Sequence, residues 1–250
     1  MVNVFIRKLD AAGGLNETDH ETLRRLSSHD RLVPARQDLI REGDRTETVY
    51  LVLSGFACCY KILPRGRRCI SGLMVPGDFC DPRASILDEM DHSIATMTDC
   101  TVVEIPRQTM WRLIEDHPRI AHAVCWSMLV DGAVTREWLI GIARRLAPER
   151  MAHLFCELLL RLRAVGLAAS NEYALPFTQS DLADMLGLTP IHVNRVLRDL
   201  RSRGLIVLSR RRLRILDEAR LIAFCSFNPN YLHRIPVIDR ISTEKAMNDY

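Results

Sequence analysis

The chain has 250 residues, 48% of them hydrophobic but only 6% aromatic, enough for two modest globular domains or one large one. Its formal net charge is only +3, and no run of eighteen or more apolar residues occurs, which excludes a helical membrane span. The opening MVNVFIRKLDAAGG lacks the apolar stretch of a secretory signal, so a cytoplasmic location and no membrane partner are expected.

In chain order, LNETDHETLRRLSS (15–28) predicts a short amphipathic helix capped by Asn16. The next eighty residues change character. Gly43, Gly55, Gly66 and Gly77 recur at intervals of eleven or twelve, separating runs such as VYLVLSGFACCYKIL. Regular turn signals between short strands predict an antiparallel sandwich or roll. The eight cysteines, at 58, 59, 69, 80, 100, 125, 156 and 225, contain no CxxC pair. They read as small core hydrophobes in a reducing compartment, with one of Cys58 and Cys59 turned outward if both lie on a strand.

From Arg107 the pattern turns helical, with a break at His117-Pro118. Val124, Met128, Asp131, Thr135, Trp138 and Ile142 then recur in alternating steps of four and three, a coiled-coil seam expected to form a dimer interface; packing against the chain's own roll is the alternative. Pro148 starts the next helix, with Met151, Leu154, Phe155, Leu158, Leu162 and Val165 as its apolar stripe, and is a candidate hinge. YALPFT (173–178) is a short strand leading into the segment TQSDLADMLGLTPIHVNRVLRDLRSR.

That segment reads as two short helices crossing at a sharp turn. Thr178 caps the first, with Asp181 in its first turn, and Gly187 ends it by tolerating positive φ. Thr189 caps the second and Pro190 takes its first position. Leu182, Leu186, Leu188, Val193, Val196, Leu197 and Leu200 face inward, leaving Pro190, Ile191, His192, Asn194, Arg195 and Arg198 outside. Thr178, Gln179 and Ser180, at the start of the first helix, are further candidate DNA-binding residues. Residues 189–214 hold eight Arg and one Asp, a concentration that counterion release from DNA rewards. LIVL and LRILD flank Ser209–Arg212 as a hairpin whose tip, including Arg211 and Arg212, suits phosphate contact.

This segment and the following GLIVLSRRRLRILD resemble the winged helix of the Crp/Fnr superfamily of bacterial transcription regulators, a likeness extending over roughly residues 15–227. The resemblance implies an α+β fold: an antiparallel β-roll of the cyclic-nucleotide-binding kind (1–117), a dimerisation helix (118–147) and a winged helix-turn-helix (148–227). The tail, 228–250, carries Pro229 and Pro236, gives no functional signal and is expected to be partly unstructured. The resemblance also implies that the second helix enters the major groove of double-stranded DNA, with Arg195 reading a guanine. Ile191 departs from the base-reading Glu of many members, which bears on the operator sequence.

The family's phosphate-cradling Gly-Glu falls here on Asp81 and Pro82, and its phosphate-binding Arg on His92. An acid, a proline without an N–H donor and a histidine argue against cyclic nucleotide binding; Arg83 acting in a shifted pose is the alternative. Asp81, Arg83, His92 and Ser93 are the candidate effector-pocket residues, with His92 either a pH or ligand sensor or a solvated loop histidine. Oxygen-sensing members carry a compact N-terminal cysteine cluster, and this chain has no Cys before Cys58, so no iron–sulfur or haem cofactor is expected. The sequence shows no metal-ligand spacing, nucleophile–base pair or phosphate loop, hence no metal site and no enzyme. The expected function is sequence-specific transcription regulation as a homodimer on a palindromic operator, with RNA polymerase as partner if the protein activates, and an unknown small-molecule effector. A non-specific architectural DNA binder is the reading from a different class.

Overall fold

A computed structural model describes residues 3–168 and 170–233. Helix α1 (Val4–Asp10) and α2 (Glu17–Leu26) precede eight strands: β1 (Asp30–Val33), β2 (Asp38–Ile40), β3 (Thr48–Ser54), β4 (Ala57–Leu63), β5 (Arg67–Met74), β6 (Phe79–Cys80), β7 (Ser93–Thr96) and β8 (Cys100–Pro106). They pair antiparallel into two four-stranded sheets, ordered β1-β8-β3-β6 and β2-β7-β4-β5. This is the expected roll. Its turns need glycine where the backbone is left-handed and crowded. Gly55 has φ 82°, and a Cβ there would lie 2.3 Å from the Asp99 carbonyl oxygen.

Helix α2 starts at the predicted cap, with Asn16 Oδ1 accepting from the Asp19 N–H and Asp19 Oδ2 accepting from the Asn16 N–H. Helix α1 is also capped, Asn3 Oδ1 accepting from the Phe5 N–H at 3.0 Å, a signal that sequence reasoning missed. Its seven residues span barely two turns, too few for a 3.6-residue repeat to show. It buries Phe5 and Leu9 in the roll, Phe5 edge-on to Phe79 at 5.1 Å between ring centroids.

Helices α3 (Arg107–Asp116) and α4 (Pro118–Arg144) meet at the predicted His117-Pro118 break, and α5 (Ala147–Ala164) follows. The C-terminal part comprises β9 (Glu172–Ala174), α6 (Gln179–Leu186), α7 (Pro190–Ser202), the hairpin β10 (Ile206–Ser209) and β11 (Arg212–Ile215), and α8 (Glu218–Cys225). The roll and this unit share one core. Phe56, Tyr60, Ile70 and Leu73 of the roll pack in the same cluster as Phe155, Leu158, Leu182 and Leu186. Phe56 meets Phe177 edge-on at 5.1 Å.

A buried charge network crosses the same junction. Lys8 Nζ lies 2.6 Å from Asp78 Oδ1, and Arg161 Nη2 donates to Asp78 Oδ2 at 2.7 Å. Arg161 Nη1 also donates to Glu157 Oε1 at 3.2 Å, while Trp138 Nε1 and Tyr231 Oη donate to Glu157 Oε2. Tyr231 lies in the tail, in the turn Pro229–Leu232, so the tail begins as packed structure; the expectation for 234–250 lies outside the described residues.

The cysteines fill the core in part. Cys58, Cys80, Cys100, Cys156 and Cys225 are buried and Cys59 is half-buried, so neither of the adjacent pair is the exposed one; Cys69 and Cys125 are. Burial pushes the Cys58 thiol up to about 12. No helix among the described residues is long and apolar enough to cross a membrane.

Candidate nucleic-acid interface and signal site

The reading motif is set by local chemistry. Thr178 Oγ1 accepts from the Asp181 N–H, and Asp181 Oδ2 accepts from the Thr178 N–H, a reciprocal box closing the start of α6. Gly187 ends α6 at φ 61°, its N–H donating to the Ala183 carbonyl. Thr189 Oγ1 accepts from the His192 N–H, and Pro190 stands first in α7, where a missing donor costs nothing. Leu182, Leu186, Val193, Val196, Leu197 and Leu200 are buried and Leu188 is half-buried.

With that face committed to the core, α7 turns the other outward. Pro190, Ile191, His192, Arg195 and Arg198 are exposed, Ile191 at 71%, and Asn194 is half-buried. Neither Arg195 nor Arg198 has an ion-pair partner among the described residues, whereas Arg203 is held by Asp199 at 2.8 Å. Thr178, Gln179 and Ser180 stand at the start of α6, and all three are exposed. An isolated exposed isoleucine beside unpaired guanidinium groups suits a groove carrying both acceptors and methyl groups.

The three arginines of the wing do not behave alike. Arg210 and Arg211 form the two-residue loop between Ser209 and Arg212, with φ 48° and 59°. Such a loop favours Asn-Gly, because both central residues need positive φ. Arg212 pairs instead with Glu172 on neighbouring β9, so its charge is partly neutralised within the fold.

Sequence reasoning missed how the roll grips this motif. Arg36 Nη1 and Nη2 fork the Asp181 carboxylate at 2.6 and 2.7 Å. Arg68 Nη2 reaches the same Asp181 at 2.7 Å, and its Nε reaches Asp184 at 2.8 Å. Burial alone would raise the Asp181 carboxyl. The hydrogen bonds from Arg36, Thr178 and Arg68 outweigh that and hold it well below the usual carboxylate range. No local spacing signals pairs more than a hundred residues apart.

On α4 part of the expected seam is covered by the chain itself. Val124 is 2% exposed and packs into the chain's own roll, because α3, α1 and the sheets cover that side. Met128 packs on the same cluster, Asp131 lies 3.8 Å from Lys8, and Trp138 packs on the shared core while donating to Glu157. Thr135 and Ile142 are exposed. The stripe left open is the neighbouring one: Cys125, Leu129, Arg136, Leu139 and Ala143 are exposed, with half-buried Gly132 between them, also in steps of four and three. Leu129 and Leu139 are 66% and 67% exposed.

Three of the four candidate effector-pocket residues come together in the roll. Asp81, at φ 51°, accepts from Arg83 Nε and Nη2, both at 2.8 Å. His92 Nδ1 is 2.7 Å from Asp91 Oδ1, and its Nε2 is 3.5 Å from Asp81 Oδ2. His92 is therefore a buried wall residue, 7% exposed, not a solvated loop histidine. The Ser93 hydroxyl turns away to accept from the Glu42 N–H.

Comparison with known proteins agrees with this geometry. Residues 30–117 match the cyclic nucleotide-binding domain and residues 149–224 the Crp-like helix-turn-helix domain. The transcriptional activatory protein AadR of Rhodopseudomonas palustris is 31% identical over 224 residues, covering 88% of this chain and 91% of that protein. The nitrogen fixation regulation protein FixK of Bradyrhizobium diazoefficiens is 30% identical over 190 residues, 76% of this chain and 79% of its own. Among solved structures, FixK2 from Bradyrhizobium japonicum superposes with a TM-score of 0.70 at 23% identity, covering 78% of this chain and 96% of that one. The exposed arginine face, the caps that build it and these relatives lead to one assignment: the chain belongs to the Crp/Fnr superfamily of bacterial transcription regulators and carries that superfamily's helix-turn-helix DNA-binding domain.

Proposed function

We propose that this regulator works in the cytoplasm as a homodimer paired along α4, setting two α7 helices into successive major grooves of an inverted-repeat operator. The observation that carries this reading is the pair Arg195 and Arg198, exposed on the outward face of α7 and without ion-pair partners among the described residues. A guanidinium left unpaired on a rigid helix is preorganised to fork a guanine edge or a phosphate. Thr178, Gln179 and Ser180 then meet the backbone at the start of α6, and Arg210 and Arg211 meet it from the wing. The dimer contact on this reading is the stripe from Cys125 to Ala143. RNA polymerase is the further partner if the protein activates, as the name of AadR says of that relative.

The roll, on this reading, answers to something other than cyclic AMP or cyclic GMP. Arg83 is forked by Asp81, so a phosphate would have to displace a carboxylate from it. Asp81 would add repulsion, and Pro82 offers no N–H. The cysteines are dispersed through both domains, which supports the absence of an iron–sulfur cluster.

Selection from a randomised duplex pool tests the proposal against non-specific architectural binding. Enrichment of an inverted repeat with half-site centres about 34 Å apart is the expected result. Uniform recovery of unrelated sequences would favour the architectural reading. Adding either cyclic nucleotide should leave the enriched sequence and its affinity unchanged.

A further inference from the structure

The roll holds a cluster whose chemistry the Arg83–Asp81 pair does not exhaust. The His92 imidazole is 7% exposed, and its Nε2, buried from solvent, makes no hydrogen bond. A buried nitrogen of this kind costs free energy unless something engages it. Its neighbour is Asp81 Oδ2 at 3.5 Å, on a side chain only 5% exposed. That separation is long for a charged N–H···O bond, which runs about 2.7–2.9 Å. On the other side of the ring, Nδ1 lies 2.7 Å from Asp91 Oδ1. A proton on Nδ1 donated to Asp91 leaves a lone pair on Nε2 facing a carboxylate oxygen. Two acceptors turned toward each other call for a cation between them.

We propose that His92 Nε2 and Asp81 Oδ2 ligate a divalent transition-metal ion of the Zn²⁺ class inside the roll, with Asp91 holding the imidazole from its Nδ1 side. Side-chain N and O atoms of all three residues lie within 4.8 Å of one another. Zinc–nitrogen and zinc–oxygen bonds of about 2.0–2.2 Å at a tetrahedral angle put two ligand atoms about 3.4 Å apart, the spacing of His92 Nε2 and Asp81 Oδ2. The Asp91 carboxylate on Nδ1 is the usual companion of a metal-bound imidazole, fixing its tautomer and raising its basicity. The charge is compensated too: two carboxylates and one guanidinium leave a net negative site for a doubly charged ion. Arg83, 49% exposed, can retain Asp81 Oδ1 or swing to water as the ion takes Oδ2. This rests on reading the roll as the ligand-receiving domain, but the test is read on the protein without DNA, so a failure of either claim is seen separately.

The experiment uses the full chain, cleared of metal with a chelator and carrying Cys69→Ser and Cys125→Ser to remove the exposed thiols. Titration with Zn²⁺ by calorimetry should show one site per chain, and Co²⁺ should give ligand-field bands without thiolate charge transfer. Binding to the folded state should raise Tm with Zn²⁺ concentration. His92→Ala should abolish the site and that shift. Asp91→Asn, which leaves a partner for Nδ1 and so keeps the loop, should weaken affinity about 10- to 100-fold. His20→Ala, at the surface contact with Asp10, should change nothing. One Zn²⁺ bound equally well by the parent protein and His92→Ala, or no uptake by the folded parent protein at millimolar Zn²⁺, would overturn the proposal.

Discussion

Arg36, in the loop between β1 and β2, forks Asp181 at the start of α6, joining the roll to the cap of the DNA-reading motif through two bonds of 2.6 and 2.7 Å. Asp181 is 1% exposed, so its charge depends on these partners. Arg36→Ala with Arg68→Ala should destabilise the protein by about 2–5 kcal/mol, because the remaining carboxylate is buried without a counter-ion. Thr178→Ala, which removes the cap and one hydroxyl donor to Asp181 but leaves both guanidinium groups in place, should cost less, about 1–2 kcal/mol. Chemical denaturation of the three proteins checks the order; equal midpoints would mean that the clamp contributes nothing.

His153 gives the fold a separate dependence on pH. It is 4% exposed, stacked on Tyr231 and edge-on to Phe227. Burial first, then the nearby Arg145 charge, pull its pKa down to about 4, against a partial upward pull from Glu137. The unfolded chain, near 6.5, binds the extra proton first. His153 therefore contributes stability that is complete above about pH 6.5 and is lost as pH falls toward 4, on the order of 3 kcal/mol in all. Asp181, also depressed, loses its contribution only below the ordinary carboxylate range near pH 4. Melting curves from pH 7 to 5 should fall for the parent protein and be flatter for His153→Leu; parallel slopes would rule out His153 as the source.

The helix-turn-helix was legible because its signals are local. Thr178 with Asp181, Thr189 with Pro190, and Gly187 each act within four residues, and a cap written in the sequence forms wherever the helix forms. The seam of α4 was not, for the opposite reason. Val124-Met128-Asp131 and Cys125-Leu129-Gly132 both step by four and three, so periodicity alone cannot say which stripe the roll covers. That choice is made by α1, whose brevity hid it, and by strands adjacent in space but distant in sequence. The cluster of Asp81, Asp91 and His92 is hidden similarly, since a turn at Asp81 and the start of β7 bring its members together.

The exposed stripe makes the proposed dimer contact testable. Leu129→Glu with Leu139→Glu places four acids in the paired stripe of a twofold dimer while touching little of the monomer's core. Ultracentrifugation should show a folded monomer with weakened operator binding. Val124→Glu should instead unfold the roll, since it buries an unpaired charge. A stable dimer of the Leu129 and Leu139 double variant would move the interface elsewhere.

The wing trades stability for charge. Two L-residues in the left-handed region cost about 1–2 kcal/mol each where glycine would not. Arg210→Asn with Arg211→Gly should therefore raise stability by about 1 kcal/mol or more while weakening binding to all DNA sequences. The slope of log affinity against log salt should also flatten by about two, one for each phosphate no longer neutralised. Unchanged affinity and slope would take the wing off the DNA.

The central claim is that α7 reads sequence through Arg195, and the most direct measurement is the affinity of Arg195→Ala for the selected operator and for random DNA at one salt concentration. A bidentate contact to guanine predicts a loss of about 1–3 kcal/mol on the operator, relaxed preference at one base pair per half-site, and a much smaller loss on random DNA. Equal losses on both duplexes would contradict it, and would make Arg195 one more phosphate contact.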